Sequence, residues 1–201
     1  MLIDRFKYIR YERMIKVFGV GRGAKKKDDG GTGEAASSDG PSEGKKQPGE
    51  IRIQKELDEL DVPPQCKLQF PDANKIMSFV LDLRPDEGFW RGASYRFTFI
   101  ISPLYPHEAP KVKCDTKIYH PNIDLQGNVC LNILREEWKP VLSISSVIYG
   151  ILHLFSEPNP NDPLNHEAAK MLRDDRYEFE RLVTRSLRGF TLQGTQFPRL
   201  V

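Results

Sequence analysis

The chain of 201 residues carries 30 basic and 28 acidic side chains, for a net charge of +2. That near-balance argues against a dedicated nucleic-acid binder, which shows a clear basic excess, and no apolar run approaches the roughly 18 residues of a membrane span. With 39% apolar residues there is material for one sizeable folded domain plus extras.

Residues 1–13 mix Asp4, Arg5, Lys7, Arg10, Glu12 and Arg13 with apolar side chains. They lack the uninterrupted apolar centre of a secretory signal. As a mitochondrial address they are weak, being basic but holding acids and no serine. Residues 14–20, Met14-Ile15-Lys16-Val17-Phe18-Gly19-Val20, form a short apolar patch. Such a patch is either a docking peptide at the tip of a tether or a frayed end. Residues 21–50 are rich in Gly, Ser, Lys and Asp and contain no aromatic, Ile, Leu or Val. They cannot bury enough apolar surface to offset their ordering entropy and read as a disordered linker.

The folded part is expected over 51–190. Ile53, Leu57 and Leu60 recur at helical spacing, and Pro63-Pro64 ends that helix. A short strand is expected near 66–70. Met77, Phe79, Leu81 and Leu83 alternate with other residues, as do Tyr95, Phe97, Phe99 and Ile101, which makes two strands with one buried face each. A fourth strand at 111–114 completes an antiparallel meander. Ser143 caps a helix with an apolar face of Ile144, Val147, Ile148, Ile151, Leu152 and Phe155. Pro158, Pro160 and Pro163 interrupt the chain, Asn165 caps the next helix, and Phe179, Leu182, Val183 and Leu187 mark the last. One helix, four strands, a long loop and three helices make an α+β domain. Residues 191–201 are set apart as a tail.

The cysteines, Cys66, Cys114 and Cys130, form an odd, sparse set. It fits free thiols in a reducing compartment, cytosol or nucleus, rather than a disulfide framework. Cys114 shares strand parity with Val112 and reads as a small core residue, and Cys66 carries no catalytic signal. Cys130 follows a turn-rich loop holding His120, Pro121, Asn122, Asp124, Gly127 and Asn128. Such a loop can expose a thiol among polar groups. His120 as the base of a cysteine protease is poorly supported, since no protease-like context surrounds Cys130. A zinc site from Cys114, His120 and Cys130 matches no common spacing.

His120-Pro121-Asn122 with Cys130 eight residues beyond the asparagine resembles the active-site signature of ubiquitin-conjugating enzymes. Further likenesses support it. Residues 105–112 resemble that family's proline-rich segment, 138–144 its ligase-facing loop and central helix start, and 158–164 its gateway loop. Ala109 departs from the second proline of many members. Residues 122–142 and 157–165 are most similar to the branch that conjugates the neddylation modifier, and residues 14–18 resemble that branch's amino-terminal docking peptide.

The resemblance implies a ubiquitin-conjugating fold and an acyl transfer through a Cys130 thioester, in cytoplasm and nucleus, without metal or bound nucleotide. It implies that Asp162 assists the incoming lysine amine. Asn122 would donate to the developing oxyanion, brace the loop, or both. His120 and Pro121 would shape the loop. The implied partners are the ubiquitin-like modifier, its heterodimeric activating enzyme, a RING ligase with a co-ligase, and cullin substrates. Met14, Ile15, Phe18 and Val20 would dock the activating enzyme and co-ligase, and Ile101, Pro140 and Val141 the RING domain. Because that peptide begins with the initiator methionine, Met14 is the expected start and residues 1–13 a gene-model extension, the rival being a genuine extension with altered docking. Rival expectations are a ubiquitin-conjugating enzyme and an inactive binding module of the same fold.

Overall fold

The computed structural model describes residues 47–201. The expected extension, the docking peptide with Met14, Ile15, Phe18 and Val20, and most of the linker lie outside them. The first helix, α1 (Pro48–Asp58), opens with a proline, whose fixed φ suits a first turn and whose missing N–H is not needed there. It therefore starts inside the stretch expected as linker. Gly49 lets this helix lie against the segment before β4. A Cβ there would stand 2.8 Å from the Pro103 carbonyl oxygen and 2.9 Å from that of Tyr105.

Four strands follow, β1 (Cys66–Gln69), β2 (Ser78–Leu83), β3 (Tyr95–Ile100) and β4 (Lys111–Cys114), in one antiparallel sheet in chain order. The expected alternation places Phe79 opposite Phe99, Leu81 opposite Phe97 and Leu83 opposite Tyr95, all buried. The same parity carries through Ile101, which is only 3% exposed and whose N–H donates to the Met77 carbonyl. Ile101 was expected on a partner-facing loop; it is core instead, because it continues the inward face of β3. Cys114 is buried, as its strand position implies.

Helix α2 (Ile144–Ser156) packs its apolar face into this core, with Ser143 and Ser146 forming a reciprocal cap at its start. Glu56 adds a second constraint at the same end. Its carboxylate accepts the N–H of Ile144 at 2.9 Å, the Tyr105 hydroxyl at 2.7 Å and the Arg52 guanidinium at 2.6 Å. One acid thus ties α1, the proline-rich segment and the first turn of α2, where helix geometry favours negative charge. Helices α3 (His166–Asp174) and α4 (Arg176–Leu187) are capped by Asn165 and Asp175.

The stretch set apart as a tail belongs to the folded body. Strands β5 (Thr191–Leu192) and β6 (Thr195–Gln196) form a hairpin. Gln193 and Gly194, both at positive φ, supply the two-residue turn whose twist suits such hairpins. Leu192 and Phe197 are buried in the core, and the Leu200 N–H donates to the Leu187 carbonyl at 2.8 Å. Phe197→Ala is therefore expected to cost about 3–5 kcal/mol in urea unfolding, as for a core phenylalanine. Phe190→Ala, at a half-exposed ring, is expected to cost under about 0.5 kcal/mol.

Candidate active site

Residues 115–131 contain no long strand or helix, so their shape depends on side chains and isolated bridges. Asp124 organises the turn. One carboxylate oxygen accepts the N–H groups of Gln126 and Asn128, and the other accepts the Asn128 side-chain amide at 2.7 Å. Gly127 sits at φ 85°, and a Cβ there would lie 2.0 Å from the Cys114 carbonyl oxygen. Only glycine allows the Cys114 N–H to reach the Gly127 carbonyl at 2.8 Å, which moors the loop to β4.

His120 anchors the other arm. Its ring is fully buried and stacks on Trp90 with centroids 4.2 Å apart. Nδ1 accepts the Asn122 N–H at 2.9 Å, so the proton resides on Nε2, which donates to the Leu154 carbonyl of α2 at 2.9 Å. Burial drives the His120 pKa down to about 3, against a smaller opposing pull from the Leu154 carbonyl. A neutral imidazole with both nitrogens engaged has no free position for taking a proton from Cys130. The neighbouring Pro121 carbonyl accepts the N–H groups of Leu164 and Asn165, both at 2.9 Å.

Asn122 joins this loop to the segment before α3. Its amide donates to the carbonyls of Asn159 at 2.7 Å and Asp162 at 3.1 Å, and its oxygen accepts the Asn159 N–H at 2.9 Å. Both amide hydrogens are thus engaged in bracing, and neither is directed to an oxyanion in this arrangement. The Asn122 carbonyl accepts the Cys130 N–H at 2.8 Å, which sets the height of the thiol.

These contacts bring Cys130 and Asp162 together. The thiol donates to the Asp162 carboxylate at 3.0 Å. Cys130 is 5% exposed, whereas Asp162 is exposed. Burial, followed by the bond to Asp162 and that residue's charge, pushes the Cys130 pKa from 9.0 up to about 11; Arg135 pulls the other way. Nothing in the spacing of Arg135 singled it out, because its influence comes through space from the turn after the short 3₁₀ segment Asn132–Leu134. Burial likewise pushes Cys66 and Cys114 up to about 12.

Of the expected partner-facing residues, Pro140 and Val141 are exposed and Ile101 is not. Leu104, 61% exposed in the turn closed by the Tyr105 N–H and the Ser102 carbonyl, takes the outward position. An apolar residue following Ser102-Pro103 in a turn was the available signal. Trp138 supports this surface, its indole donating to the Pro106 carbonyl at 2.8 Å.

Comparison with known proteins agrees with this geometry. The family model described as "Ubiquitin-conjugating enzyme" matches residues 52–187. The chain is 53% identical over 167 residues to the NEDD8-conjugating enzyme Ubc12 of Arabidopsis thaliana, covering 83% of this chain and 91% of that one. It is 48% identical over 184 residues to the Nedd8-conjugating enzyme UbcE2M of Drosophila melanogaster, covering 92% and 97%. The solved structure of S. cerevisiae Ubc12 superposes with a TM-score of 0.74 at 42% identity, covering 79% of this chain and 89% of that one.

Two outcomes follow from the titrations. The unfolded chain protonates a histidine near pH 6.5, whereas folded His120 refuses the proton until about pH 3. Its contribution to stability is complete above pH 6.5 and drains as pH falls through that window, by up to ~1.4 kcal/mol per pH unit. Urea unfolding between pH 7 and 4.5 checks this, with His120→Gln expected to flatten the slope. For Cys130, Asp162→Asn should lower the thiol pKa from about 11 while leaving it above 9.0, because burial remains. Iodoacetamide labelling at pH 8 should then quicken roughly severalfold, and Arg135→Ala should slow it.

Proposed function

The chain belongs to the ubiquitin-conjugating enzyme family, and from that membership we propose that it is a NEDD8-conjugating enzyme. It receives the carboxy-terminal acyl group of the modifier on Cys130 and passes it to a lysine of a target protein. The observation that carries this chemistry is the 3.0 Å contact between the Cys130 thiol and the Asp162 carboxylate. The choice of NEDD8 over ubiquitin is supported by the level of identity to relatives named for that modifier.

In the first transfer the Cys130 sulfur attacks the carbonyl carbon of the thioester on the activating enzyme. A new C–S bond forms, the old one breaks, and the thiol proton moves through Asp162 to the departing thiolate. Exchanging one thioester for another is near balance, so a nucleophile that is mostly a neutral thiol suffices once it is placed. In the second transfer a lysine nitrogen attacks the same carbon. The C–N bond forms, the C–S bond breaks, the nitrogen loses a proton and the sulfur regains one. A carboxylate favours the charged form of a nearby lysine. Asp162 therefore acts by orienting the amine and accepting its proton, not by lowering its pKa. Asn122 contributes by holding the segment that carries Asp162.

The partners are an activating enzyme and a ligase, as for other family members. In finer terms, the heterodimeric activating enzyme and a co-ligase engage residues 14–20. A RING domain engages Pro140 and Val141, with Leu104 in place of Ile101, and the targets are cullins. The reaction takes place in cytoplasm and nucleus, where the free thiols stay reduced. An inactive module of the same fold would have no need of the paired Cys130 and Asp162.

Thioester formation tests the reading. With ATP and the matching activating enzyme, the full chain is expected to form a reducing-agent-sensitive adduct with NEDD8, lost in Cys130→Ala. An adduct with ubiquitin alone overturns the choice of modifier, and no adduct beside active controls overturns the enzyme.

A further inference from the structure

Residues 157–165, which carry Asp162 between α2 and α3, form no helix or strand. Pro158, Pro160 and Pro163 have no N–H to donate, so little backbone bonding is open to the segment. Asp162 is exposed, and packing does not hold its carboxylate. Ties from neighbouring elements hold it instead. The Asn122 amide donates to the carbonyls of Asn159 and Asp162, and the Pro121 carbonyl accepts the N–H groups of Leu164 and Asn165. Between the two carbonyls bound by Asn122 lies an arc of Pro160 and Asn161. Asn161 adds only a local turn, its N–H donating to the Asn159 side chain at 2.9 Å. An arc pinned at its two ends can still swing, and Asp162 forms one of those ends.

Arg173 supplies the third tie. Its guanidinium donates from Nη1 to the Pro160 carbonyl at 2.7 Å. The residue stands in the last turn of α3, four positions after the buried Ala169 and so on the same side of the helix. That helix is a firm base, capped by Asn165 and with Ala168 and Ala169 fully buried. A cation donating to a carbonyl makes a stronger bond than a neutral donor does. Because this bond lies at the surface, its loss loosens the arc without opening the core. The charges that shift the Cys130 thiol belong to Arg135 and Asp162. An effect of Arg173 on the thiol therefore travels through the place of Asp162, and its sign is diagnostic. Losing a nearby cation raises a thiol pKa, whereas drawing a hydrogen-bonded carboxylate away lowers it.

We propose that Arg173 is a positioning residue for the transfer: by holding the Pro160 carbonyl it keeps the Asp162 carboxylate beside the Cys130 sulfur, where the incoming amine must also arrive. This deepens the acyl-transfer reading above and rests on it.

Iodoacetamide labelling of Cys130 at pH 8, followed on its own peptide in the full uncharged chain, is the first test. Arg173→Ala is expected to quicken it about threefold, in the same direction as Asp162→Asn. Arg173→Lys keeps a donor and is expected to stay within about twofold of the native rate. Lys170→Ala removes a like charge from an exposed position of the same helix and is expected to change nothing. Labelling that is unchanged or slower in Arg173→Ala, or equally quickened in Lys170→Ala, overturns the proposal. The second test is single-turnover discharge of the preformed Cys130 thioester to free lysine. Arg173→Ala is expected to slow it about fivefold, the scale of one lost hydrogen bond, and to slow it no further when Asp162 is already Asn. A native discharge rate, or an equal fall in the Asp162→Asn background, also overturns it. Labelling needs no modifier, so it decides the positioning role even where charging with NEDD8 fails, an outcome that counts against the carrier reading alone.

Discussion

The neutral, buried imidazole of His120 is the contact on which the reacting centre hangs. Its two nitrogens face opposite demands, one accepting from the Asn122 backbone and the other donating to the Leu154 carbonyl. A protonated ring could satisfy only the second. The stack on Trp90 and the full burial that accompanies it hold the ring neutral. From there the chain of constraint runs outward: Asn122 to the carbonyls of Asn159 and Asp162, and the Asn122 carbonyl to the Cys130 N–H. Cys130 and Asp162, 32 residues apart, are juxtaposed because both are referred to one asparagine, which is itself referred to the core.

Glu56 plays a similar part at the opposite end of α2. A largely buried carboxylate is costly unless its oxygens are filled, and here a guanidinium, a phenol and a backbone N–H fill them. The outward-facing apolar residues Leu104 and Val141 flank segments tied by this acid, so the surface they offer is carried by the fold rather than by free loops. The catalytic loop and the apolar face are thus fastened to the two ends of one helix.

Regular elements were legible in the sequence wherever their periodicity was strong. The alternation of Phe79, Leu81 and Leu83 against Tyr95, Phe97 and Phe99 gave the sheet and its buried face, and Ser143 and Asn165 marked true helix starts. Ile101 shows a conflict between two signals. Strand parity placed it inward, family likeness placed it at an interface, and packing followed parity. The hairpin at the end was missed because its strands are two residues long, too short to show a period; the Gln193-Gly194 turn was its only local mark. At the site, Cys130 could be singled out from its loop. Bracing by Asn122 was one of its two expected roles, but its partners could not be read, since they are backbone groups about forty residues away, and backbone groups carry no sequence signature.

A sulfur whose pKa stands near 11 has a consequence beyond transfer. At pH 7 about one molecule in ten thousand holds a thiolate, and the thiolate is the form that peroxide converts to sulfenic acid and that disulfides capture. A thiol held neutral in this way reacts slowly with such oxidants. The burial that keeps the thiol neutral thus slows its side reactions while it waits for a donor, and the transfer itself depends on a docked donor placing its carbonyl at the sulfur.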